Sequence, residues 1–324
     1  MDLAEKSKSV RAISDCFTLL FEGNMSNKGK AWINGEFVHW DQATVHIMSH
    51  SFTRGSAVFE VISFHQTSNG TVVFRLDEHL KRLQRSTKLL NMELSYSAQE
   101  IEHGVMETIK ANNLQNGFIK IIGYYGNPSF TILPQQEKLD LSIFLIDEDL
   151  SKDHKKHVSA CFCQWRKLDP NTVPVEAKVA GNYINGMLAL QEAIHRGFDM
   201  GILLDTDGFV AEASTEAIFW VEGDVIKTPP LGRILHSISR LSILQAATIT
   251  GLKTAEEKVR PEKIMKADEV FFASTSCKIQ PVGRLDDQDF KNAPGPMSRE
   301  LAHIMSNICT GKDKRFNNWL FPVK

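Results

Sequence analysis

The chain has 324 residues, more than one ordinary hydrophobic core accommodates, and this length favours two domains. Its hydrophobic fraction of 42% and charged fraction of 23% are typical of a soluble globular enzyme. The formal net charge of −2 excludes a general electrostatic attraction to nucleic acid or to a membrane surface. No apolar run reaches the roughly 18 residues that a membrane-spanning helix needs.

The N-terminus and the cysteines bear on the cellular compartment. The first residues form an amphipathic pattern with acidic residues early, which is typical of neither a signal peptide nor a transit peptide. The five cysteines are odd in number and scattered. Cys161 and Cys163 are too close together for zinc-type spacing, and we expect them to be buried thiols. The sequence therefore predicts a cytoplasmic, reduced protein with no metal site.

The arrangement of apolar runs and turns indicates two α/β domains. Their strands are expected to be mixed and largely antiparallel, because the hairpin signals argue against a doubly wound parallel sheet. Residues 1–29 are interpreted as an N-terminal extension, residues 30–147 as a small α/β domain and residues 158–324 as a larger one. The charged run at residues 148–157 lacks periodic apolar positions and is the predicted linker.

Turn and capping signals predict the elements of the smaller domain. Asn34-Gly35 between apolar runs predicts a hairpin, and residues 44–48 predict a strand. Asp77 is the predicted N-cap of a helix that carries leucines on one face. Ser97 followed by Glu100 is a capping-box pattern, which predicts the start of a second helix.

The larger domain is expected to begin with a strand and then a helix over residues 182–196. A meander of strands follows, with a turn at residues 222–224. Ile238 lies at the start of another helix, which ends at Gly251, a residue typical of the position after a helix. A last helix is predicted near residues 298–308.

Three features of the larger domain could together hold an aldehyde cofactor that carries a ring nitrogen and a phosphate. Lys178 has small, apolar neighbours, so desolvation would lower its pKa and free the amine for imine chemistry. Strand alternation places Glu212 with Val210 and Ser214, where a carboxylate could hold a pyridine nitrogen protonated. The amides at Ser237–Ser239 would suit a phosphate. Singly, each has an ordinary alternative: a surface lysine, a solvent-facing glutamate and a plain helix cap.

The order and spacing of these features resemble a known family. The segment EASTEAIF, followed by VIKT and LHSISR, resembles the signature of the class IV, fold-type IV pyridoxal-phosphate aminotransferases. The upstream run QWRKLDPNTVPVEAKVAGNY is similar to the reactive-lysine segment of branched-chain amino-acid aminotransferases. One position departs, because the family has asparagine where this chain has Ala217. The resemblance covers about residues 30–310 and implies a site between the two domains.

The resemblance also implies a role for each matching residue. Lys178 would form the Schiff base with pyridoxal 5′-phosphate and carry the proton between Cα and C4′. Tyr183 would bond the phenolic oxygen of the cofactor, and Glu212 would face its pyridine nitrogen. The residues implied at the cofactor phosphate are Arg82, Ile238, Ser239 and Thr275. From the helical pattern alone, Arg82 would be a surface charge.

On the substrate side the chain departs from the branched-chain enzymes that it resembles. Those enzymes have a tyrosine where this chain has Arg54 and another where it has Phe118. They have an arginine at the position of Lys120 and a glycine at the position of Val61. A lysine point charge is not equivalent to an arginine fork, so the substrate side of this chain differs from that of the branched-chain enzymes. The residues implied at the substrate are Arg54, Phe59, Val61, Phe118, Lys120, Thr275 and Ser276.

The predicted function is transamination between an amino acid and a 2-oxo acid such as 2-oxoglutarate. A branched-chain L-amino acid is the favoured amino donor. The family implies that a homodimer completes the site. Three alternatives on the same scaffold are a D-amino-acid aminotransferase, an (R)-selective amine transaminase and an aminodeoxychorismate lyase. A fourth alternative, from a different class, is a non-catalytic homologue with a relic cofactor site.

Overall fold

Two β-sheets with helices packed against them organise the chain in its computed structural model. The structure describes residues 29–146 and 156–323. The predicted N-terminal extension, apart from Gly29, and most of the predicted linker lie outside the described residues. The sheets are mixed and largely antiparallel, as the sequence predicts.

The first sheet lies mainly in the N-terminal half of the chain. Its strands are β1 (Lys30–Ile33), β2 (Glu36–His39), β3 (Val58–Thr67), β4 (Gly70–Phe74), β5 (Glu93–Leu94), β6 (Gly117–Tyr124), β7 (Lys138–Ile146) and β17 (Leu320–Pro322). They run in the order β17-β4-β3-β6-β7-β1-β2, with β5 beside β7. All of these pairings are antiparallel except that of β5 with β7.

The second sheet is built from the C-terminal half. Its strands are β8 (Val158–Arg166), β9 (Met200–Leu204), β10 (Val210–Ala213), β11 (Ala217–Glu222), β12 (Val225–Thr228), β13 (Lys253–Glu256), β14 (Glu269–Ala273), β15 (Gln280–Leu285) and β16 (Gln288–Asp289). Their order is β10-β9-β8-β15-β14-β11-β12-β13, with β16 beside β15. Three pairings are parallel, namely β8 with β9, β8 with β15, and β12 with β13.

The helices confirm the predicted helical segments and add short ones. The α-helices are α1 (His50–Arg54), α2 (Leu76–Leu89), α3 (Ala98–Asn112), α4 (Tyr183–His195), α5 (Ile238–Thr250), α6 (Pro261–Ile264) and α7 (Pro296–Cys309). Short 3₁₀ helices span Trp40–Gln42, Ala180–Asn182 and Lys314–Trp319. Among the residues that the structure describes, no helix combines the length and the apolar character needed to cross a bilayer.

Most of the predicted turns and caps are present. Asn34 and Gly35 both have positive φ angles, 49° and 97°, and join the paired ends of β1 and β2. The side chain of Ser97 accepts from the Glu100 amide, and the Glu100 carboxylate accepts from the Ser97 amide, so the capping box is complete. Gly251 ends α5 in the left-handed conformation, where the absence of Cβ removes the steric penalty.

Two local predictions are wrong. Residues 44–48 do not form a strand, because no neighbouring strand supplies ladder hydrogen bonds, and Val45 and Ile47 are exposed there. Asp77 is not the N-cap of α2. The N-cap is Arg75, two residues earlier, and its left-handed backbone (φ 54°) turns the chain out of β4 into the helix.

The core of the second sheet follows strand alternation. In β11, Phe219 and Val221 pack under α5 and α7, while Ile218 and Trp220 pack on the opposite face of the sheet. Each face is therefore buried, which explains why β11 is apolar along most of its length.

The end of the chain returns to the first sheet. Strand β17 pairs with β4, so the C-terminal residues complete a sheet whose other strands come from residues 30–146. The Trp319 carbonyl accepts from the Arg75 amide at 2.7 Å, and the Arg75 guanidinium lies 4.2 Å from the Trp319 ring centroid. These contacts join the two halves of the chain beside their interface.

Candidate active site

Lys178 lies where the two halves of the chain cross. The Phe59 amide donates to the Lys178 carbonyl at 3.0 Å, and the Gly181 amide donates to the Gly55 carbonyl at 2.9 Å. Gly55 has a φ of 67°, and a Cβ on it would lie 3.1 Å from the Gly181 Cα. Both a left-handed backbone and a close approach therefore require glycine at this position. The crossing fixes Lys178 against the end of β3.

The Lys178 ammonium is enclosed. Its Nζ donates to the Tyr183 hydroxyl and lies 4.7 Å from the centroid of the Phe59 ring. The pKa of Lys178 is lowered to about 7, first by burial and then by the positive charges of Arg82 and Lys120, which two nearby glutamates offset only in part. A large fraction of this amine is therefore neutral near pH 7, as nucleophilic attack on a carbonyl requires.

Tyr183 opens helix α4 and faces the same space. Its ring lies 4.9 Å from the Phe59 ring, at a tilt of 59°. Burial raises the pKa of Tyr183, so the phenol keeps its proton and can donate to an oxygen in the site. The structure brings Tyr183 and Lys178, both predicted to be cofactor residues, into a direct hydrogen bond.

Glu212 lies on β10 at the other side of Tyr183. The strand carries a β-bulge between Val210 and Glu212, so strict alternation does not hold there. Glu212, Ser214 and Tyr183 line one cavity, whereas Val210, which the alternation pattern placed on the same face, packs in the core of the second sheet. The carboxylate of Glu212 therefore faces the site.

A lysine that the sequence analysis did not identify orients Glu212. The Nζ of Lys167 lies 2.6 Å from Glu212 Oε1, and both side chains are largely buried, at 9% and 14% exposed. The Leu235 amide donates to Oε2 at 3.1 Å. Two donors thus fix the plane of the carboxylate. Nothing in the sequence distinguished Lys167 from its basic neighbour Arg166.

Helix α5 points its N-terminus at the site. Ser237 is its N-cap, with a side chain that accepts from the Arg240 amide at 3.2 Å. Ile238 and Ser239, the first two helical residues, line a cavity together with Thr275. Because the first amides of a helix lack partners within it, they can bind an anion. This cavity adjoins the one that contains Glu212, since Ser237 lines the latter.

Arg82 is buried rather than a surface charge. Its Nε and Nη2 donate to the two oxygens of Glu60 at 2.7 and 2.5 Å, and its Nη1 donates to the His236 carbonyl at 3.1 Å, next to the start of α5. His79 Nδ1 lies 2.7 Å from Glu60 Oε2. Burial by itself would raise the pKa of Glu60, but the charge and hydrogen bonds of Arg82 lower it to about 2. Glu60 was missed, although a carboxylate inside the apolar run of β3 is a signal of a buried partner.

Four of the predicted substrate residues lie on one face of β3 and β6, namely Phe59, Val61, Phe118 and Lys120. Val61 pairs with Lys120, and Ser63 pairs with Phe118, which is buried. The Lys120 Nζ lies 5.3 Å from the Phe59 ring centroid, and burial lowers the pKa of Lys120. Strand alternation therefore turns this cation towards the space that Lys178 occupies.

The other three predicted substrate residues, Arg54, Thr275 and Ser276, lie outside these two strands. Arg54 is exposed at the end of α1, and its guanidinium donates to the carbonyls of Thr53 and Phe130. Ser276 is exposed in the turn after β14, next to Thr275, which lines the cavity at the start of α5. Within this chain the structure does not bring Arg54 to the group around Lys178.

These residues fit the cofactor that the sequence suggested. A carboxylate and a helix N-terminus line two adjoining cavities, and a buried amine with a lowered pKa donates to Tyr183 at one of them, which matches a ring nitrogen, a phosphate and an aldehyde. Within the described ranges no group of three or more His, Cys, Asp or Glu side chains is arranged to hold a metal ion.

Comparisons with known proteins agree with this arrangement. A family model described as amino-transferase class IV matches residues 57–285. A branched-chain-amino-acid aminotransferase of Pseudomonas aeruginosa is 32% identical over 304 residues, which cover 91% of this chain and 98% of that protein. The chain belongs to the class IV aminotransferases, which confirms the predicted family and enzyme class.

Solved structures of relatives share the fold. A branched-chain aminotransferase of Thermoproteus uzoniensis, crystallised with norvaline, superposes with a TM-score of 0.87 at 32% identity, covering 91% of this chain and 99% of its own. A branched-chain amino acid aminotransferase of Thermobaculum terrenum, in its holo-form with pyridoxal phosphate, gives 0.86 at 29% identity, covering 93% and 100%. The predicted fold class is therefore confirmed.

Proposed function

We propose that this chain is a pyridoxal-phosphate-dependent transaminase that moves an amino group between a branched-chain L-amino acid and a 2-oxo acid such as 2-oxoglutarate. The observation that carries the proposal is the enclosed Lys178 amine, whose pKa is lowered to about 7 beside Tyr183. The names of the relatives support the branched-chain substrate and do not favour the lyase, D-amino-acid and (R)-amine alternatives.

The cofactor, when bound, supplies an aldehyde and an electron-accepting ring. Lys178 would hold the cofactor through its aldehyde, and its amine would take and return the proton at the substrate Cα. Tyr183 would donate to the phenolic oxygen and keep the Lys178 amine in place. Glu212 would hold the ring nitrogen protonated. At the phosphate, Ile238 and Ser239 offer amides, Thr275 a hydroxyl, and Arg82 the N–H groups that Glu60 and His236 leave free.

A non-catalytic relic of the fold is a weaker proposal. A relic site would have no reason to keep Lys178 buried at an energetic cost, because an unneeded amine is more stable on the surface. The described site instead retains the amine, the phenol and the oriented carboxylate together. This combination favours catalysis.

The purified protein is expected to carry a visible cofactor absorbance that one class of donor bleaches. L-Leucine, D-alanine and (R)-1-phenylethylamine are added separately, and the absorbance is followed. Bleaching by L-leucine alone is the expected result. Bleaching by D-alanine or by (R)-1-phenylethylamine instead would replace the substrate assignment. An enzyme that is colourless after reconstitution with pyridoxal phosphate would overturn the cofactor assignment.

Lys120 is proposed to bind a carboxylate of the substrate. Within the described residues its ammonium has no hydrogen-bonding or ionic partner, and its contact is the face of the Phe59 ring. A cation left without a counter-ion beside Lys178 is suited to the acid group that every 2-oxo acid carries.

We expect Lys120→Met to raise the KM for 2-oxoglutarate by roughly 10- to 100-fold, the usual size of a lost charged hydrogen bond. Lys120→Arg should recover part of the affinity because it restores the charge. Steady-state kinetics of both variants, with the exposed Lys266→Met as the matched control, provide the measurement. A KM in Lys120→Met equal to that of the parent would exclude the role.

A homodimer is the proposed assembly. Phe52, Phe130 and Ile132 are 69%, 87% and 77% exposed in the single chain. The loop that carries Phe130 is tied to α1, since His50 Nε2 lies 2.9 Å from the Ile132 carbonyl. Large apolar side chains exposed together are typical of an interface, and sedimentation equilibrium should return twice the 36.4 kDa chain mass. A single-chain mass at micromolar concentration would contradict the dimer.

The free thiols of Cys161 and Cys163 support a reducing, cytoplasmic location.

A further inference from the structure

A second buried cation, Lys278, faces the cavity at the start of α5. It lies in the turn between β14 and β15 with a left-handed backbone (φ 54°). Its side chain lines the same cavity as Ile238, Ser239 and Thr275. Neither the sequence motifs nor the family resemblance pointed to this lysine.

The contacts of Lys278 leave its charge uncompensated. Its Nζ donates to the Ser63 hydroxyl at 2.7 Å and to the Thr275 carbonyl at 2.9 Å, and lies 5.4 Å from the Phe74 ring centroid. These groups are all neutral. Across residues 29–146 and 156–323, no carboxylate pairs with this ammonium. Burial lowers the pKa of Lys278, which is the cost of holding a cation there without a counter-ion.

The histidine nearest to Lys278 does not add to the charge. His65 Nε2 lies 3.0 Å from the Ser63 hydroxyl that accepts from Lys278. The pKa of His65 is lowered to about 3, by burial first and by the Lys278 charge second. His65 is therefore neutral near pH 7. The ammonium of Lys278 is the one positive charge in this group of three side chains.

Arg82, a second cation near the start of α5, is already neutralised. Arg82 forms a two-pronged ion pair with Glu60, which stays ionised because its pKa is about 2. His79 shares the same carboxylate, and burial lowers the pKa of His79. The Glu60–Arg82–His79 cluster therefore has a net charge close to zero, although Arg82 still offers N–H donors. A phosphate with two negative charges gains little net Coulomb attraction from such a cluster.

We propose that Lys278 supplies the uncompensated positive charge for the cofactor phosphate, while Arg82 and the α5 amides supply hydrogen bonds. The inference rests on the proposed function, because it assumes that pyridoxal phosphate binds with its phosphate at α5. Lys278 has a proton left after its two neutral acceptors, and the cavity provides amide and hydroxyl donors around the same space.

The test compares two ligands that differ only in the phosphate. Dissociation constants of pyridoxal phosphate and of pyridoxal are measured by absorbance titration of the full-length protein and of its Lys278→Met and Lys278→Arg variants. Lys278→Met should weaken pyridoxal phosphate by roughly 10- to 100-fold and leave pyridoxal within about twofold, because a charged hydrogen bond is lost only with the first ligand. The affinity of Lys278→Arg for pyridoxal phosphate should lie between that of the parent protein and that of Lys278→Met. Lys266→Met, at an exposed position, is the matched control.

A second readout does not depend on turnover. The ³¹P resonance of the cofactor in the holoenzyme is followed against pH, and in Lys278→Met the phosphate should take up its second proton at a higher pH. Thermal unfolding without cofactor shows whether each variant is folded.

The outcomes separate this inference from the function on which it rests. Failure of the parent protein to bind pyridoxal phosphate would overturn the proposed function. Tight binding by the parent with equal affinity in Lys278→Met would overturn the role of Lys278 alone. Equal weakening of pyridoxal and pyridoxal phosphate would assign Lys278 to structure rather than to the phosphate.

Discussion

Lys178→Ala is expected to lower the rate of transamination by about a thousandfold or more. The substitution removes the group that takes the proton from the substrate Cα, and general acid–base groups contribute about 10²- to 10⁴-fold. It also removes the amine that holds the cofactor at rest. The measurement is single-turnover conversion of L-leucine by the reconstituted protein, with bound cofactor quantified in parallel.

The fold should survive this change. Removing a buried amine whose pKa is lowered by burial relieves a desolvation cost, so the alanine variant should melt no lower than the parent without cofactor. Retained turnover in a folded, cofactor-loaded variant would exclude Lys178 as the catalytic group.

The lowered pKa of Lys178 sets the pH dependence of cofactor uptake. Attack on the aldehyde requires the neutral amine, which an ordinary lysine reaches only near its usual pKa of 10.5 and Lys178 reaches near 7. The rate of reconstitution should therefore rise with pH through about 7 and then level off. A rate that still rises steeply above pH 9 would contradict the lowered pKa.

Glu212→Gln is expected to reduce turnover by roughly 100- to 1000-fold, the usual loss when one preorganised electrostatic partner is removed. The neutral amide cannot hold a proton on the ring nitrogen as a carboxylate does, so the ring accepts electrons less well. Turnover numbers with L-leucine and 2-oxoglutarate, measured at saturating cofactor, provide the comparison.

Loss of stability must be separated from loss of chemistry in this variant. Glutamine leaves Lys167 buried without its ionic partner, which costs about 3–5 kcal/mol when a buried pair is broken. The double variant Glu212→Gln with Lys167→Met removes both charges and should recover stability without recovering turnover. Recovery of turnover together with stability would mean that Glu212 serves the fold and not the ring.

The parts of the site that sequence predicted are those carried by short local patterns. Lys178 precedes a small-residue turn and Ser237 caps a helix, so both can be predicted from their neighbours. Glu212 was placed by strand alternation, which the β-bulge before it interrupts. Lys167 and Lys278 depend on contacts between segments far apart in sequence, and a single lysine carries no sign of its distant partner. Glu60 lay between these cases, since its position inside β3 indicated burial without identifying Arg82.

The fold shows the same division. Hairpins and capping boxes are decided within four residues, and the structure contains them where predicted. The strand expected at residues 44–48 failed because a strand needs a neighbour that the local sequence does not specify. The pairing of β17 with β4 joins positions about 250 residues apart, which no local pattern reports.

The placement of β17 has a consequence for synthesis on the ribosome. The sheet that carries Glu60 and Lys120 remains incomplete until Leu320–Pro322 emerge, although its other strands end at Ile146. Until then β4 keeps an open edge of Thr71 to Phe74, with unpaired amides and carbonyls that another chain could pair with. The nascent N-terminal half therefore exposes this edge until residues about 250 positions further along the chain have been translated.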